Sequence, residues 1–296
     1  MTTHSVAVDL GGSSVRAAGP HCPVEQPARL PVWPHDSCEA LVKAIASVVE
    51  EASDGVQLRH VLVALPSYVM PDGTVGPIPS LPALRGERLD LLLMGAVRTA
   101  SVTLVPDLSA ATIGESRLGA GRGVGRFLCV AIGTGVNAGA VTDDHLVETA
   151  FGSFGDAGHV LVDPAGPPCP CGGVGCLEAV CSGLALARAG AGHGYSGARA
   201  VIDAALAGEA AAITLLDQAG AALGRAMSTW SVLLWPQVIA VAGGLSIAGD
   251  LLLEPARTEL QRVGPPYVTE GIRVVQAELG ASATLAGAAL LAGVAA

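Results

Sequence analysis

The chain has 296 residues, of which 51% are hydrophobic and 14% charged. That is enough apolar mass for one large or two medium domains with a sizeable core, and it excludes a disordered polymer. The net charge of −10 argues against a nucleic-acid-binding surface, and Lys43 is the only lysine, so a GxxxxGK[ST] phosphate loop is excluded.

In chain order, Ser5–Asp9 predicts a buried strand, 10–14 a Gly/Ser turn, and Val15–Ala18 a return strand. Asp36 and Ser37 predict the cap of a helix over about Cys38–Glu51, with Leu41, Val42, Ile45, Val48 and Val49 on one face. Arg59–Leu65 reads as a strand, and Pro66–Glu87, rich in Pro and Gly, as a long functional loop or lid. A helix near Leu89–Thr99, a strand at Val102–Val105 and a helix running from Asp107 toward Arg117 follow. The opening device then recurs: strand Phe127–Ile132, turn Gly133-Thr134-Gly135, return strand Asn137–Val141. From about Leu177 to Leu234 the pattern is helical. A strand at Val238–Ala242 ends in Gly243-Gly244, a helix is expected near Ile247–Val263, a strand at Ile272–Val275, and a last helix from about Ser282. The repeat of strand, glycine turn and strand suggests two similar α/β lobes with a cleft between them.

The run HVLVDPAGPPCPCGGVGCLE, His159 to Glu178, is the most specific stretch. His159, Cys169, Cys171 and Cys176 stand as H-x9-C-x-C-x4-C, with prolines and glycines turning the chain between them. Four borderline or soft donors at this spacing suit tetrahedral zinc. The closed set leaves no open position, which points to a structural metal and away from a zinc hydrolase. Cys22, Cys38, Cys129 and Cys181 are scattered and fit reduced cytosolic thiols, with Cys181 read as a small core residue on a helix. The start MTTHSVAVDL lacks the pattern of a signal peptide. Leu279–Ala296 is apolar but Ala/Gly-rich and without basic flanks, so a buried helix is expected, with no membrane partner and a cytoplasmic location.

Gly11 and Gly12 in the first turn, and Gly133 and Gly135 in the second, let backbone amides approach phosphate oxygens without an intervening Cβ. Ser13, Ser14 and Thr134 add hydroxyl donors, and Asp9 at a strand end suits Mg²⁺ held through water. Either turn alone is an ordinary hairpin; the pair beside an aspartate points to a nucleoside triphosphate. Asp107, between a strand and a helix, reads equally as a helix N-cap or as a general base taking the proton of a hydroxyl that attacks phosphorus.

Over nearly its full length the chain resembles the ROK sugar kinases of the actin-like ATPase superfamily. DLGGSSVRAA is similar to the first phosphate loop, AIGTGVNAG to the second, VAGG to adenosine-contacting glycines (here Gly243 and Gly244), PDLSAATIGE to the catalytic segment, and GDAGH with the cysteine run to the sugar and zinc segment. The resemblance implies a two-lobed, ribonuclease H-like α/β fold with an interlobe cleft and a structural zinc loop. It places the lobes at 1–108 with 281–296 and at 109–280. It further implies ATP and Mg²⁺ as cofactors, Asp107 as the base, and Zn²⁺ on His159, Cys169, Cys171 and Cys176. Asp156, His159 and Glu178 would face the sugar, and the protein would be a homodimer of carbohydrate metabolism. The family's repressors carry a DNA-binding domain ahead of the first phosphate loop; with that loop at residue 9, none is expected and nucleic acid is not a partner.

Departures gather on the sugar side. Pro106 replaces the Asn usual before the base, Ser109 stands where Asn is frequent, Asp156 replaces Glu, Ser67 replaces Gly, and Ser80 replaces Asn. Several hydroxyl readers are thus trimmed together while Asp9, Asp107, His159, the cysteines and Glu178 are kept. Unpaired buried groups discriminate strongly, so this pattern suggests a modified sugar or a carbocyclic analogue, a C7-type cyclitol of secondary metabolism, as an alternative to an ordinary hexose. A rival of another class is a non-catalytic sugar-binding or sensing protein.

Overall fold

The computed structural model describes residues 4–149 and 154–294, and these fall into two compact units. The first comprises Met1–Gly119, Leu146–Gly155 and Ala281–Ala296, and the second Ala120–His145 and Asp156–Gly280. The last two residues of the apolar C-terminal run lie outside the described residues.

In the first unit, β1 (Ser5–Leu10), β2 (Ser14–Ala18), β3 (Ala28–Pro31), β4 (His60–Leu65) and β5 (Ser101–Pro106) form one sheet in the order β3-β2-β1-β4-β5. β1, β2 and β3 pair antiparallel, whereas β4 and β5 run parallel to β1. Both faces are covered, so the strands read as near-continuous apolar runs. Val6, Val8, Leu10, Val61, Val63 and Leu65 point to one core, shared with α1 (Cys38–Ser53) and α2 (Leu89–Val97) through Leu41, Ile45, Val48, Leu89 and Leu93. The alternate residues Ala7, Leu62 and Ala64 point to the other face. There they meet Ala110 of α3 (Asp107–Leu118) and, from a C-terminal helix (Ala283–Ala292), Leu285, Ala288 and Ala289. The Ser37 hydroxyl caps α1 by accepting from the Ala40 amide, as its position predicts.

The second unit repeats the plan. β6 (Arg126–Ile132), β7 (Val136–Thr142), β8 (His145–Leu146), β9 (Val238–Ala242) and β10 (Arg273–Gln276) lie in the order β10-β9-β6-β7-β8. β6 and β7 form the antiparallel hairpin, and β9 and β10 add in parallel. Strand for strand, β6 to β10 occupy the places of β1 to β5. Between β8 and β9 the unit inserts the cysteine-rich loop and α4 (Leu177–Val180), α5 (Gly183–Ala191), α6 (Ala198–Leu206) and α7 (Ala210–Leu234). α8 (Asp250–Val263) and the short α9 (Pro266–Thr269) precede β10, and the C-terminal helix of the first unit is α10.

Several boundaries differ from the sequence expectation. The first unit runs through Gly119 and not to residue 108, because α3 packs along α10. The helix expected from Ile247 is a 3-10 turn over Gly244–Ala248, broken by Gly249 at φ +57°, before α8 begins at Asp250. Cys181 is buried at the junction of α4 and α5, not within a helix. No helix among the described residues is long and apolar enough to cross a membrane, and the seven cysteines form no disulfide.

Two helix pairs cross at glycines where backbone replaces side chain. A Cβ on Gly287 of α10 would overlap the Ala110 carbonyl of α3, and one on Gly224 of α7 would overlap the Ala256 carbonyl of α8. Gly287→Ala and Gly224→Ala are each expected to lower stability by about 1–3 kcal/mol, the usual cost of overpacking. Denaturant unfolding at two wavelengths measures it; wild-type midpoints would show that these crossings have slack.

Candidate functional site

In the first unit the parallel ladder sets the level of the functional side chains. Asp9 pairs with Ala64, Ala64 with Val105, and Leu65 with Pro106, so Asp9, the start of the long loop after β4, and Asp107 all stand at the carboxyl ends of neighbouring strands. Ligands of open α/β sheets bind at such ends. The first turn is closed by the Gly11 amide donating to the Ser14 carbonyl at 2.9 Å, and it is anchored to β3 by the Val32 amide on the Ser13 carbonyl. A Cβ on Gly12 would lie 2.9 Å from the Ser80 side chain, so the long loop passes directly over this turn. That contact brings Ser80 to the glycines. Ser67, in the same loop, donates to the Pro77 carbonyl at 3.2 Å.

Asp9 is buried, and its Oδ2 accepts from Arg16 Nε at 3.1 Å and also from Arg16 Nη2. Burial pushes the Asp9 carboxyl above its ordinary range, and the Arg16 hydrogen bonds and charge oppose that rise. Sequence reasoning missed Arg16; the signal was available, since a hairpin closed over 10–14 pairs residue 9 with residue 16.

Asp107 is the first residue of α3. The cap position is Pro106, which makes no side-chain capping bond, so the N-cap alternative for Asp107 does not describe its place. Its Oδ1 accepts from the Leu108 amide at 2.6 Å. Burial raises its carboxyl to about 6, the neighbouring Asp9 charge adds to the rise, and the Leu108 bond opposes it. A carboxyl titrating there is ionised at neutral pH and is a stronger base than an ordinary aspartate. Ser109, two residues further into α3, is buried.

In the second unit the glycine turn 133–135 is held from three sides. The Gly133 amide donates to the Gly135 carbonyl at 2.9 Å, and the Gly183 amide at the start of α5 donates to the Gly133 carbonyl at 2.7 Å. Glu178 Oε2 accepts from the Val136 amide at 3.0 Å. Gly243, at φ +88°, lies against the end of β6, where a Cβ would come within 2.5 Å of the Ile132 carbonyl. Gly243-Gly244 therefore abuts the turn that carries Thr134. Asn137 Oδ1 accepts from the Ala157 amide at 3.2 Å, and a Cβ on Gly158 would overlap the Val136 carbonyl, which pins the Asp156–His159 segment on β7.

His159, Cys169, Cys171 and Cys176 offer one ligand atom each, all within 4.8 Å of one another. Cys169 Sγ is 3.5 Å from His159 Nδ1, and Cys171 Sγ is 3.7 Å from Cys176 Sγ. Gly173 sits between two of the sulfurs, a Cβ there being 3.3 Å from Cys176 Sγ and 3.5 Å from Cys171 Sγ. Burial and the adjacent sulfurs push the Cys176 thiol up to about 12, so a cation is what would let the thiolates coexist. The donor set fits a structural zinc ion. The Nδ1 of His159 faces the sulfurs, and its Nε2 lies 3.8 Å from the Asp156 carboxylate. Arg225 of α7 ties the loop to the helices, its Nε donating to the Val162 carbonyl and its Nη1 to Glu259 of α8, each at 2.9 Å.

Zinc removal by a strong chelator, or Cys176→Ser, is expected to lower the melting temperature, because metal binding here is folding free energy. Metal analysis of the purified protein should find zinc in proportion to chain. A metal-free protein that melts like the loaded one would exclude a structural role.

The sequence model of the ROK family matches residues 5–294. The glucokinase of Thermotoga maritima is 30% identical, over 96% of this chain and 95% of its own length. The N-acetylmannosamine kinase of Escherichia coli O139:H28 is also 30% identical, over 99% of this chain and 98% of its own length. Among solved structures, the ROK family glucokinase of Streptomyces griseus, in complex with glucose and AMPPNP, superposes with a TM-score of 0.76 at 29% identity, covering 98% of this chain and 99% of that one. With this sheet topology, both glycine turns and the Cys/His cluster in place, the chain belongs to the ROK family and has the two-lobed fold of the actin-like ATPases.

Proposed function

We propose that the protein is an ATP- and Mg²⁺-dependent kinase for a hydroxyl of a sugar or sugar-like polyol, acting in the cytoplasm as a homodimer. The observation that carries this reading is Asp107, a carboxyl raised to about 6, on the same sheet edge as Asp9 and the first glycine turn. Asp107 takes the proton of the acceptor hydroxyl, that oxygen bonds to the γ-phosphorus in line, the bond from phosphorus to the β–γ bridging oxygen breaks, and ADP leaves. Asp9 and the serine hydroxyls of the first turn are hard oxygen donors suited to Mg²⁺, which when bound neutralises phosphate charge. On this reading Gly11, Gly12, Ser13, Ser14, Gly133, Thr134 and Gly135 serve the phosphates with backbone and hydroxyl donors, and Gly243 and Gly244 serve the nucleoside. Asp156, His159 and Glu178 hold acceptor hydroxyls, and the zinc loop keeps them in place.

The relatives are kinases of a plain hexose and of an N-acylated hexosamine. In this chain Pro106 offers no side-chain donor beside the base, Ser109 is short, and Asp156 is one methylene shorter than Glu. Those residues favour a second reading of the acceptor: a cyclitol or modified sugar with a different hydroxyl pattern.

ADP release across hexoses, N-acylhexosamines and cyclitols tests both. Clear preference for plain glucose would reject the cyclitol reading, and no polyol-dependent ADP release at all would favour a non-catalytic sugar-binding protein. Asp107→Asn is expected to reduce kcat by about 10²–10⁴-fold with an unchanged melting temperature. For the wild type, kcat/KM should rise about tenfold per pH unit below a midpoint near 6 and then level off, since the base must be ionised. An Asn variant that turns over normally, or a profile flat through pH 6, would remove Asp107 from the role.

A further inference from the structure

The Asp9–Arg16 pair is the part of the first turn that phosphate binding leaves unexplained. The two residues face each other across the β1–β2 ladder. Their side chains are 11% and 22% exposed, so the pair is largely removed from water. A guanidinium usually meets a carboxylate with two parallel bonds, one to each oxygen. Here Arg16 Nε and Nη2 converge on the single oxygen Oδ2, because Nη2 is also committed to the Ala281 carbonyl, at 2.7 Å, just ahead of α10. Oδ1 of Asp9 receives no protein hydrogen bond among the described residues. The carboxylate therefore has a fixed orientation, one oxygen neutralised and the other available.

A divalent cation approaching this carboxylate meets a charge that is already balanced. Without Arg16, Asp9 and the nearby Asp107 would share a half-buried sheet edge with no cation between them, a costly arrangement that Mg²⁺ relieves. We infer that Arg16 is the resting counter-ion of Asp9, holding the carboxylate in place and setting by competition the Mg²⁺ concentration at which the metal–nucleotide complex binds. The inference rests on the kinase reading of Asp9 and makes Arg16 a positioning residue with no contact to the reacting atoms. Its second anchor, the Ala281 carbonyl, keeps the guanidinium on the sheet edge when the metal takes the free Oδ1 of Asp9.

The test is a thermal-shift titration of MgCl₂ at fixed, saturating ADP for wild type, Arg16→Gln and Arg16→Lys, with parallel melts in EDTA. Arg16→Gln should melt below wild type in EDTA, yet reach half of its nucleotide-dependent stabilisation at roughly tenfold lower Mg²⁺, the scale of one unit charge removed from a partly buried site. Arg16→Lys keeps the charge but cannot span both anchors, so its Mg²⁺ midpoint should fall by about two- to threefold. A merely structural arginine would give lower melts with no gain in Mg²⁺ response. A variant midpoint equal to or above wild type overturns the inference, and Arg16→Lys alone decides it if Arg16→Gln does not fold. A wild type that shows no Mg²⁺-dependent stabilisation by ADP overturns the kinase reading and this inference with it.

Discussion

Three thiols and an imidazole converge in a loop that has almost no hydrophobic mass of its own, and much of the second unit's geometry is referred to that point. The segment from Asp163 to Gly175 is held by turns, two isolated bridges and a few backbone bonds, and the four donor side chains converge beside them. From it the order is passed on through α4, whose Glu178 carboxylate takes the Val136 amide, and through α5, whose first amide takes the Gly133 carbonyl. In the other direction, Arg225 fastens the Val162 carbonyl to Glu259, a carboxyl pulled down to about 2 by its bonds to Arg262 and Arg225. A Cys/His cluster on the periphery of the sheet is thus linked to a glycine turn at its edge.

The two units solve the same problem with different materials. Each presents a glycine turn at the end of an antiparallel hairpin and adds parallel strands beside it. The first steadies its turn with β3, the long loop and an ion pair; the second uses a zinc-type loop and the start of a helix. Where helices must come close, both use glycine: Gly114 and Gly287 in one pair, Gly220 and Gly224 in the other. The Ala/Gly-rich C-terminal run takes its composition from this role, since α10 lies against α3 with a carbonyl where a side chain would otherwise fit.

Much of this was legible in the sequence because it is written in local patterns. Apolar runs gave the parallel strands, Ser37 gave the cap of α1, and cysteine spacing gave the convergence of His159, Cys169, Cys171 and Cys176. What escaped lacks a local signal. β3 is four residues among prolines and arginines with one buried side chain among them, and β8 is two residues long. The helix drawn from Ile247 was interrupted by a left-handed glycine that periodicity does not register. Position, more than identity, was hidden at the site. Asp107 was identifiable as important, but only the backbone shows Pro106 in the cap position. Glu178 looked like a reader of hydroxyls, and one of its oxygens is spent on the Val136 amide, a contact 42 residues away along the chain.

Pro106 has a consequence that reaches past its missing side chain. It ends an edge strand, where the absence of an N–H costs the sheet little. Its ring keeps φ at −59° immediately before Asp107. The strand that leads into the proposed base therefore has one torsion fewer to order when the chain folds, while the carboxylate itself is oriented by the Leu108 amide. What this position gives up in side-chain hydrogen bonding it returns as a stiffer backbone entry to the helix that carries Asp107.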